Sequence, residues 1–243
     1  MLVGHERAEV TFRQRFVPET ANLQFLSCGE YTVPPGCASV AFCSPEAARA
    51  CCSCGGARPW SSVGGQQHDL ANYDTLYVPR GAGFTLSNPS AEPAVLIQCS
   101  APAATAHPVF HSRFAEFSTR EDRIRHLAGK DVFLMFDVGE AADKLVAGYT
   151  FYKPYTRAWP PHNHTDQEEV YIFIKGHGAM EVYESPEKLT FVHSLNEGDM
   201  VTIPYLNYHP VFSAGGPARV HLVHRRRAVL GGRQEQGLHG GQR

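Results

Sequence analysis

Short runs rich in β-branched and aromatic residues recur along the whole chain. Typical examples are "AEVTFRQRFV", "AVLIQCS", "DVFLMFDVG", "EEVYIFIKG" and "ARVHLVHRR". Turn residues separate the runs, and the 243 residues include 17 prolines and 22 glycines. Val, Ile, Tyr, Phe and Thr favour strands, whereas Pro and Gly interrupt helices. The pattern therefore predicts an all-β fold built from many short strands.

The charge balance limits the classes of partner. The chain carries 22 Lys+Arg against 24 Asp+Glu, a formal charge of −2, so it has no broad basic field for nucleic acid or an anionic membrane. No run approaches the roughly 18 apolar residues of a membrane span. The first residues, "MLVGHERAEVTFRQRF", carry charges where a secretory leader would be apolar. We expect a cytoplasmic protein whose partner is a small molecule.

Two stretches, one in each half of the chain, resemble each other. "NYDTLYVPRGAGF" and "NEGDMVTIPYLNYH" each place an aspartate five residues before a proline. Five positions after that proline, the first stretch has Phe84 and the second has His209. We predict two similar barrels, over 1–115 and 116–230, with a polar site only in the second, and a disordered tail over 231–243.

A group of possible metal ligands lies in the second half. His162 and His164 are two residues apart, so an extended backbone places both imidazoles on one face. Glu169 follows on the next run, and His209 could join from a later strand. A lone pair of this kind is usually two solvated histidines, but the later Glu and His favour a shared site. Three nitrogens and one oxygen would leave room for water or substrate on a divalent ion. Zinc or manganese is favoured, and iron or nickel is compatible.

The runs "PPHNHTDQEEVYIFIKGHG" and "EGDMVTIPYLNYHPV" resemble the two motifs of the cupin superfamily. The resemblance implies a double-stranded β-helix, or jelly-roll barrel, that holds an ion with two His, one Glu and a further His. Six residues separate Glu169 from Gly176, and this spacing selects Glu169 rather than Glu168 as the ligand. Leu206 stands where the second motif usually has glycine, so we expect a different turn before His209.

A narrower resemblance extends over most of the chain. "YDTLYVPRGAGFTL", "DRIRHLAG", "WPPHNH", "EEVYIF" and "NYHPVFSAGG", in that order, resemble the bicupin isomerases of uronate and inositol breakdown. These are 5-deoxy-glucuronate isomerase and 4-deoxy-5-keto-uronate isomerase. The resemblance implies a first cupin barrel without metal ligands, a second barrel that binds the metal, and association into a homo-oligomer. The chain lacks the usual Trp-Ser-Ser before Pro-Pro-His and a longer insertion before the glutamates, so the resemblance implies the metal ligands and leaves the choice of sugar acid open.

The resemblance implies an aldose–ketose isomerase that acts on a sugar acid, 5-deoxy-glucuronate or a related uronate, through a metal-stabilised enediolate. Such a reaction needs a general base, for which the candidates are Glu168, Tyr171 and Lys153. The carboxylate of the substrate needs a cation, for which the candidates are Arg157, Arg123 and Arg125. An iron-dependent cupin dioxygenase and a non-catalytic, metabolite-binding bicupin are the alternative functions.

Seven cysteines are present, and five lie in one segment, at Cys37, Cys43, Cys51, Cys52 and Cys54. The segment lacks the two separate C-x-x-C pairs that a structural zinc site usually shows, so we expect free thiols in a loop of small residues. "SPEAARA" and "STREDRIRHLA" are predicted to be short helices. "HRRR", which follows the last strand, is predicted to be an exposed edge or an oligomer contact.

Overall fold

The computed structural model describes residues 9–43, 46–54, 57–158 and 161–226. In these residues the chain forms strands, two single-turn helices, α1 (Pro18–Ala21) and α2 (Phe114–Phe117), and a 3-10 turn at Glu121–Arg123. The strands are β1 (Thr11–Phe16), β2 (Ser27–Val33), β3 (Ala47–Cys54), β4 (Trp60–Val63), β5 (Gln66–Asp69), β6 (Thr75–Val78), β7 (Phe84–Ser87), β8 (Ala94–Pro102), β9 (Phe110–Ser112), β10 (Ile124–Leu127), β11 (Lys130–Phe136), β12 (Leu145–Tyr152), β13 (Gln167–Lys175), β14 (Gly178–Ser185), β15 (Lys188–Leu195), β16 (Met200–Ile203), β17 (Val211–Ser213) and β18 (Ala218–Arg226).

The chain divides into two compact units, and the first comprises Met1–Phe16 and Ser27–Phe114. It contains a six-stranded sheet in the order β1-β2-β8-β3-β6-β9 and a three-stranded sheet in the order β5-β4-β7. Its core includes Leu76, Leu96 and Phe84. Phe84 is buried, and it lies in the apolar core at the position that corresponds to His209 in the second stretch.

The second unit comprises Val17–Leu26 and Ala115–Arg243. It repeats the pattern of sheets, with six strands in the order β10-β11-β12-β18-β13-β16 and three in the order β15-β14-β17. Strand β13 lies between β18 and β16 and is buried on both faces over most of its length. The fold is therefore all-β, with two jelly-roll barrels. The predicted tail over 231–243 lies outside the described residues.

Two local predictions are wrong. In "SPEAARACCSC", Ala47–Cys54 forms β3, which pairs with both β6 and β8 in the middle of a sheet. Cys51 and Cys52 are buried there, so this part of the chain is core and not loop, because long-range strand pairing overrides the helical preference of alanine. In "STREDRIRHLA", the last part is strand β10. Ser44 and Pro45, the first two residues of the predicted helix "SPEAARA", lie outside the described residues.

The described part of the chain contains free cysteines and short helices. The free thiols among the described residues are those of Cys28, Cys37, Cys43, Cys51, Cys52 and Cys99. Among the helices that the structure describes, none is long and apolar enough to cross a membrane.

Candidate metal centre

Glu169 lies at the centre of the polar group in the second barrel. It projects from β13 on the same face as Tyr171 and is fully buried. His164 and His209 bring their Nε2 atoms to 3.2 and 3.0 Å from Oε2 of Glu169. His224, which is opposite Glu169 in the β13–β18 pair, brings its Nε2 atom to 2.8 Å from Oε1. One carboxylate is thus surrounded by three imidazoles.

Two irregular segments carry the other histidines. Main-chain hydrogen bonds hold the segments together: the N–H of Leu206 donates to the carbonyl of His164 at 2.8 Å, and the N–H of His209 donates to that of His162 at 3.2 Å. The ring centroid of His162 lies 5.1 Å from that of His164 and 4.6 Å from that of His209. Leu206 has a φ of 67°, in the left-handed region that glycine favours, so this turn takes a glycine-type conformation without glycine.

The arrangement fits a metal ion. Two overlapping groups each offer ligand atoms within 4.8 Å of one another, His162 with His164 and His209, and His164 with Glu169 and His224. The Nε2 atoms of His164 and His209 and both oxygens of Glu169 are buried and lack a hydrogen-bond partner among the described residues, although they lie close together. Buried polar atoms without partners are costly. A cation bound between them would satisfy several at once.

Two contacts orient the imidazoles toward the centre. His209 donates from Nδ1 to the main-chain carbonyl of Asn207 at 2.7 Å, which leaves Nε2 with its lone pair. The Nδ1 atom of His164 lies 2.9 Å from the side-chain amide of Gln167. An amide can present its oxygen or its nitrogen, and ligation through Nε2 of His164 requires Gln167 to present the oxygen.

The pKa values of the ligands favour the protonation states that bind a cation. Burial raises the pKa of Glu169, but the electrostatic interaction with His224 and the hydrogen bonds with His164 and His209 outweigh it, so the pKa lies well below its usual value. Desolvation, with His209 and His164 nearby, lowers the pKa of His162 to about 2. The carboxylate is therefore ionised and His162 is neutral at pH 7, as metal ligands must be.

Lys130 is a polar residue that the sequence reasoning missed. It opens β11 and is only 8% exposed. Its Nζ lies 5.5 Å from the centroid of the Tyr152 ring, and among the described residues it forms no ion pair. Burial lowers its pKa to about 8, while the charge of Glu169 acts in the opposite direction. Lys130 alternates with the core residues Val132 and Leu134, and this periodicity was the available signal.

His224 was also missed, and the prediction that "HRRR" is an exposed edge is wrong for its first two residues. His224 is fully buried and Arg225 is 6% exposed. His224 shares the inward parity of Val220 and Leu222 along β18, so alternation could have identified it. Arg227 lies outside the described residues.

Glu168 points away from Glu169, as expected of neighbours on one strand. Its carboxylate is fully buried and accepts three main-chain hydrogen bonds, from Gln24 at 2.7 Å, Phe25 at 2.8 Å and Leu26 at 2.6 Å. These donors belong to the segment Val17–Leu26 of the same unit. The carboxylate thus fastens that segment to β13, and its lone pairs are engaged by main-chain donors.

Replacement of Glu168 by Gln should lower the free energy of unfolding by about 2–4 kcal/mol, because charge-assisted hydrogen bonds to buried main-chain donors are lost. Urea denaturation measures this change, and the bound metal per chain should stay unchanged. The Glu184→Gln variant, altered at an exposed carboxylate paired with Lys188, is the control. A collapse of turnover with unchanged stability would instead favour the catalytic role suggested by the sequence.

The other two candidates for the general base, Tyr171 and Lys153, lie in different environments. Tyr171 is buried, its ring centroid is 5.7 Å from that of His209, and burial and then Glu169 raise its pKa well above the usual value. It is therefore a neutral phenol that can donate. Lys153 is exposed, and its hydrogen bonds are main-chain ones, to Gly129 and from Ser213.

Each of the three candidate arginines for the substrate carboxylate already contacts an acidic side chain. Arg123 pairs with Glu140, and its guanidinium carbon lies 4.8 Å from the Phe117 ring centroid. The other two contacts are Arg125 with Asp137 at 3.6 Å and Arg157 with Glu181 at 2.5 Å. A substrate carboxylate would have to compete with these acidic groups.

The family of the chain follows from a comparison with family models. Residues 55–222 match the model of the KduI/IolB family, and this range includes most of both barrels. The chain belongs to the KduI/IolB family. The predicted resemblance to the bicupin isomerases is thereby confirmed.

Individual relatives agree with the family. The chain is 32% identical over 122 residues to 4-deoxy-L-threo-5-hexosulose-uronate ketol-isomerase of Kineococcus radiotolerans. That match covers 46% of this chain and 44% of the relative, so it spans less than half the length of that enzyme.

Solved structures of cupins share the fold of this KduI/IolB member. An IolB-like protein from Salmonella typhimurium LT2 matches with a TM-score of 0.74 and 16% identity, over 91% of this chain and 94% of the other. Bacillus subtilis oxalate decarboxylase matches with a TM-score of 0.70 and 14% identity, over 92% of this chain and 74% of the other. These similarities confirm the prediction of two cupin barrels and bear on the fold alone.

Proposed function

We propose that this protein is a metal-dependent ketol isomerase of a sugar acid, with 5-deoxy-glucuronate or a related keto-uronate as substrate. The observation that carries the proposal is the convergence of three histidines and one buried glutamate in the second barrel, His162, His164, His209 and Glu169. The family match and the name of the relative from Kineococcus support the reaction class.

The four side chains would hold one divalent ion, zinc or manganese for preference, since the reaction needs no change of redox state. Such an ion supplies polarisation of the substrate carbonyl and stabilises the negative charge of the enediolate. His209 presents Nε2 because its Nδ1 is fixed by Asn207. The buried surroundings keep water away and strengthen these interactions.

The proton transfers need a group that changes protonation near neutral pH. We assign this role to Lys130, whose amine is buried in the same barrel, carries no ion pair among the described residues and has a pKa lowered to about 8. The neutral amine takes the proton from the carbon next to the carbonyl, and the ammonium returns it to the adjacent carbon. Tyr171 stays protonated and donates a hydrogen bond to the oxygen that gains charge.

The test follows proton exchange directly. Metal-loaded protein is incubated without oxygen in D₂O with 5-deoxy-glucuronate, and in parallel with 4-deoxy-L-threo-5-hexosulose-uronate, and proton NMR is recorded. We expect conversion of one sugar acid, with deuterium entering next to the carbonyl. His162→Ala should abolish both signals, and His193→Ala, at an exposed histidine of β15, should leave them unchanged.

The alternatives give different results in the same design. Oxygen consumption with iron and no isomerisation would indicate a dioxygenase. Saturable binding of the sugar acid without turnover or exchange would indicate a metabolite-binding bicupin. Either result would overturn the proposal.

A further inference from the structure

Arg49 lies in the interior of the first barrel, where the described residues include no group of side chains that could hold a metal ion. It is 4% exposed and stands on β3. It is directly opposite Val78 on β6 and Ser100 on β8. Directly opposed residues of antiparallel strands point to the same face, and Val78 belongs to the core of this barrel. Alternation along β3 gives the same direction, since Cys51 is also in that core.

The guanidinium of Arg49 has no acidic partner among the residues that the structure describes. Its Nη1 atom is buried without a hydrogen-bond partner there. Its guanidinium carbon lies 5.3 Å from the centroid of the Phe84 ring, which is a cation–π contact. A buried charge is costly unless it is paired, and one aromatic ring compensates only part of that cost.

The neighbouring polar groups do not supply a negative charge. Burial raises the pKa of Cys51 to about 12, and Arg49 lowers it only in part. Burial likewise raises the pKa of Tyr31, whose hydroxyl donates to Oε1 of Gln98 at 3.3 Å. Gln98 is opposite Cys51 on β8 and faces the same interior. All three groups are neutral at pH 7, so none of them balances the positive charge of Arg49.

Phe84, the ring that contacts Arg49, belongs to a larger aromatic group. The ring centroid of Tyr31 lies 4.6 Å from that of Phe12, 4.9 Å from that of Phe42 and 6.0 Å from that of Phe84. Phe12 is 40% exposed, so the aromatic group reaches the surface. A buried guanidinium with apolar walls suits a ligand that has an anionic end and a hydrocarbon or sugar face.

We propose that the first barrel contains a second binding site, in which Arg49 receives the carboxylate of a small organic acid. The fork of N–H groups on a guanidinium matches the two oxygens of a carboxylate. The amide of Gln98 provides a further polar contact, and the aromatic group packs against the body of the ligand. The site does not depend on the metal centre of the second barrel.

The test uses the full chain with His162→Ala and His209→Ala, so that the second barrel cannot contribute. The probes are D-glucuronate and benzoate, with D-glucose as the neutral control, titrated by calorimetry and by saturation-transfer NMR. We expect both carboxylates to bind and D-glucose not to bind. Arg49→Met should weaken binding at least tenfold, and Arg49→Lys should weaken it less. Arg58→Met, at an exposed arginine of the same unit, should leave it unchanged.

The chain with His162→Ala and His209→Ala is the reference protein, and three results would overturn the proposal. Neither carboxylate binds the reference protein, Arg49→Met binds both as tightly as the reference protein does, or Arg58→Met weakens binding as much as Arg49→Met does. Arg49→Lys keeps the test decisive if Arg49→Met does not fold, since loss of the planar fork should still lower affinity in a folded barrel. The isomerase assay plays no part in this experiment, so the two proposals can fail separately.

Discussion

His209→Ala should weaken the binding of a divalent ion by more than about 100-fold and lower kcat/KM for the sugar acid by at least about 1000-fold. The variant loses one of the convergent nitrogen donors, which lies 3.0 Å from Oε2 of Glu169, and leaves His164 as the imidazole beside that oxygen. The second barrel should still fold, because its core consists mainly of apolar residues on the strands. Metal content after dialysis, competition with a chelator and initial rates measure these effects.

His193→Ala is the matched control, because His193 is an exposed histidine of the same barrel, on β15. His224→Ala separates the two overlapping groups of ligands. If the ion is bound by His162, His164 and His209 with Glu169, then His224→Ala should reduce affinity much less than His209→Ala does. The opposite order would place the ion on the group of His164, Glu169 and His224 instead.

The sequence was most informative where the signal is local. Alternation in "EEVYIFIKG" predicts that Glu169 and Tyr171 share a face, and β13 has that arrangement. The spacing from His162 to Glu169 and on to Gly176 predicted the motif, and Gly176 has a φ of +81° with a Cβ position only 2.6 Å from the carbonyl of Pro217. Only glycine fits there, so the motif follows from steric constraints.

Features that depend on strand pairing were not predicted. The first half of β3, residues 47–50, was expected to be helical and its cysteines were expected to lie in a loop, but its place between β6 and β8 decides its conformation. His224 contacts Glu169 through the register of β13 with β18, strands that are distant in sequence. Lys130 was missed although its alternation with Val132 and Leu134 was a local signal, because a lysine at the start of a strand is usually exposed, as Lys153 is.

Lys130→Met should make the metal-free protein more stable at pH 7 while lowering kcat of the metal-loaded protein at least about 100-fold. The pKa of Lys130 is lowered from 10.5 to about 8, mainly by burial, so the folded protein disfavours the ammonium form. This difference of about 2.5 pKa units corresponds to a destabilisation of roughly 3 kcal/mol at pH 7, which methionine removes. A gain in stability with a loss of activity is expected when a buried charge serves the reaction.

The pH dependence distinguishes this cause from better packing of methionine. Between pH 8 and 10.5 the unfolded chain holds more protons on Lys130 than the folded chain does, so stability rises with pH across that window. The cost of the ammonium is complete below about pH 8 and disappears near pH 10.5. Urea denaturation of parent and Lys130→Met should therefore show a gap in stability that closes over this range, and packing alone would give a gap independent of pH.

Lys153→Met is the matched control, since Lys153 is an exposed lysine of the same barrel. It should change neither the stability nor kcat. If Lys153→Met loses turnover and Lys130→Met retains it, the base is Lys153, which the sequence named as a candidate. With the ion bound, its positive charge should lower the pKa of Lys130 further, because like charges disfavour the ammonium. The neutral amine would then predominate at pH 7, so the bound ion would activate the group that takes the proton.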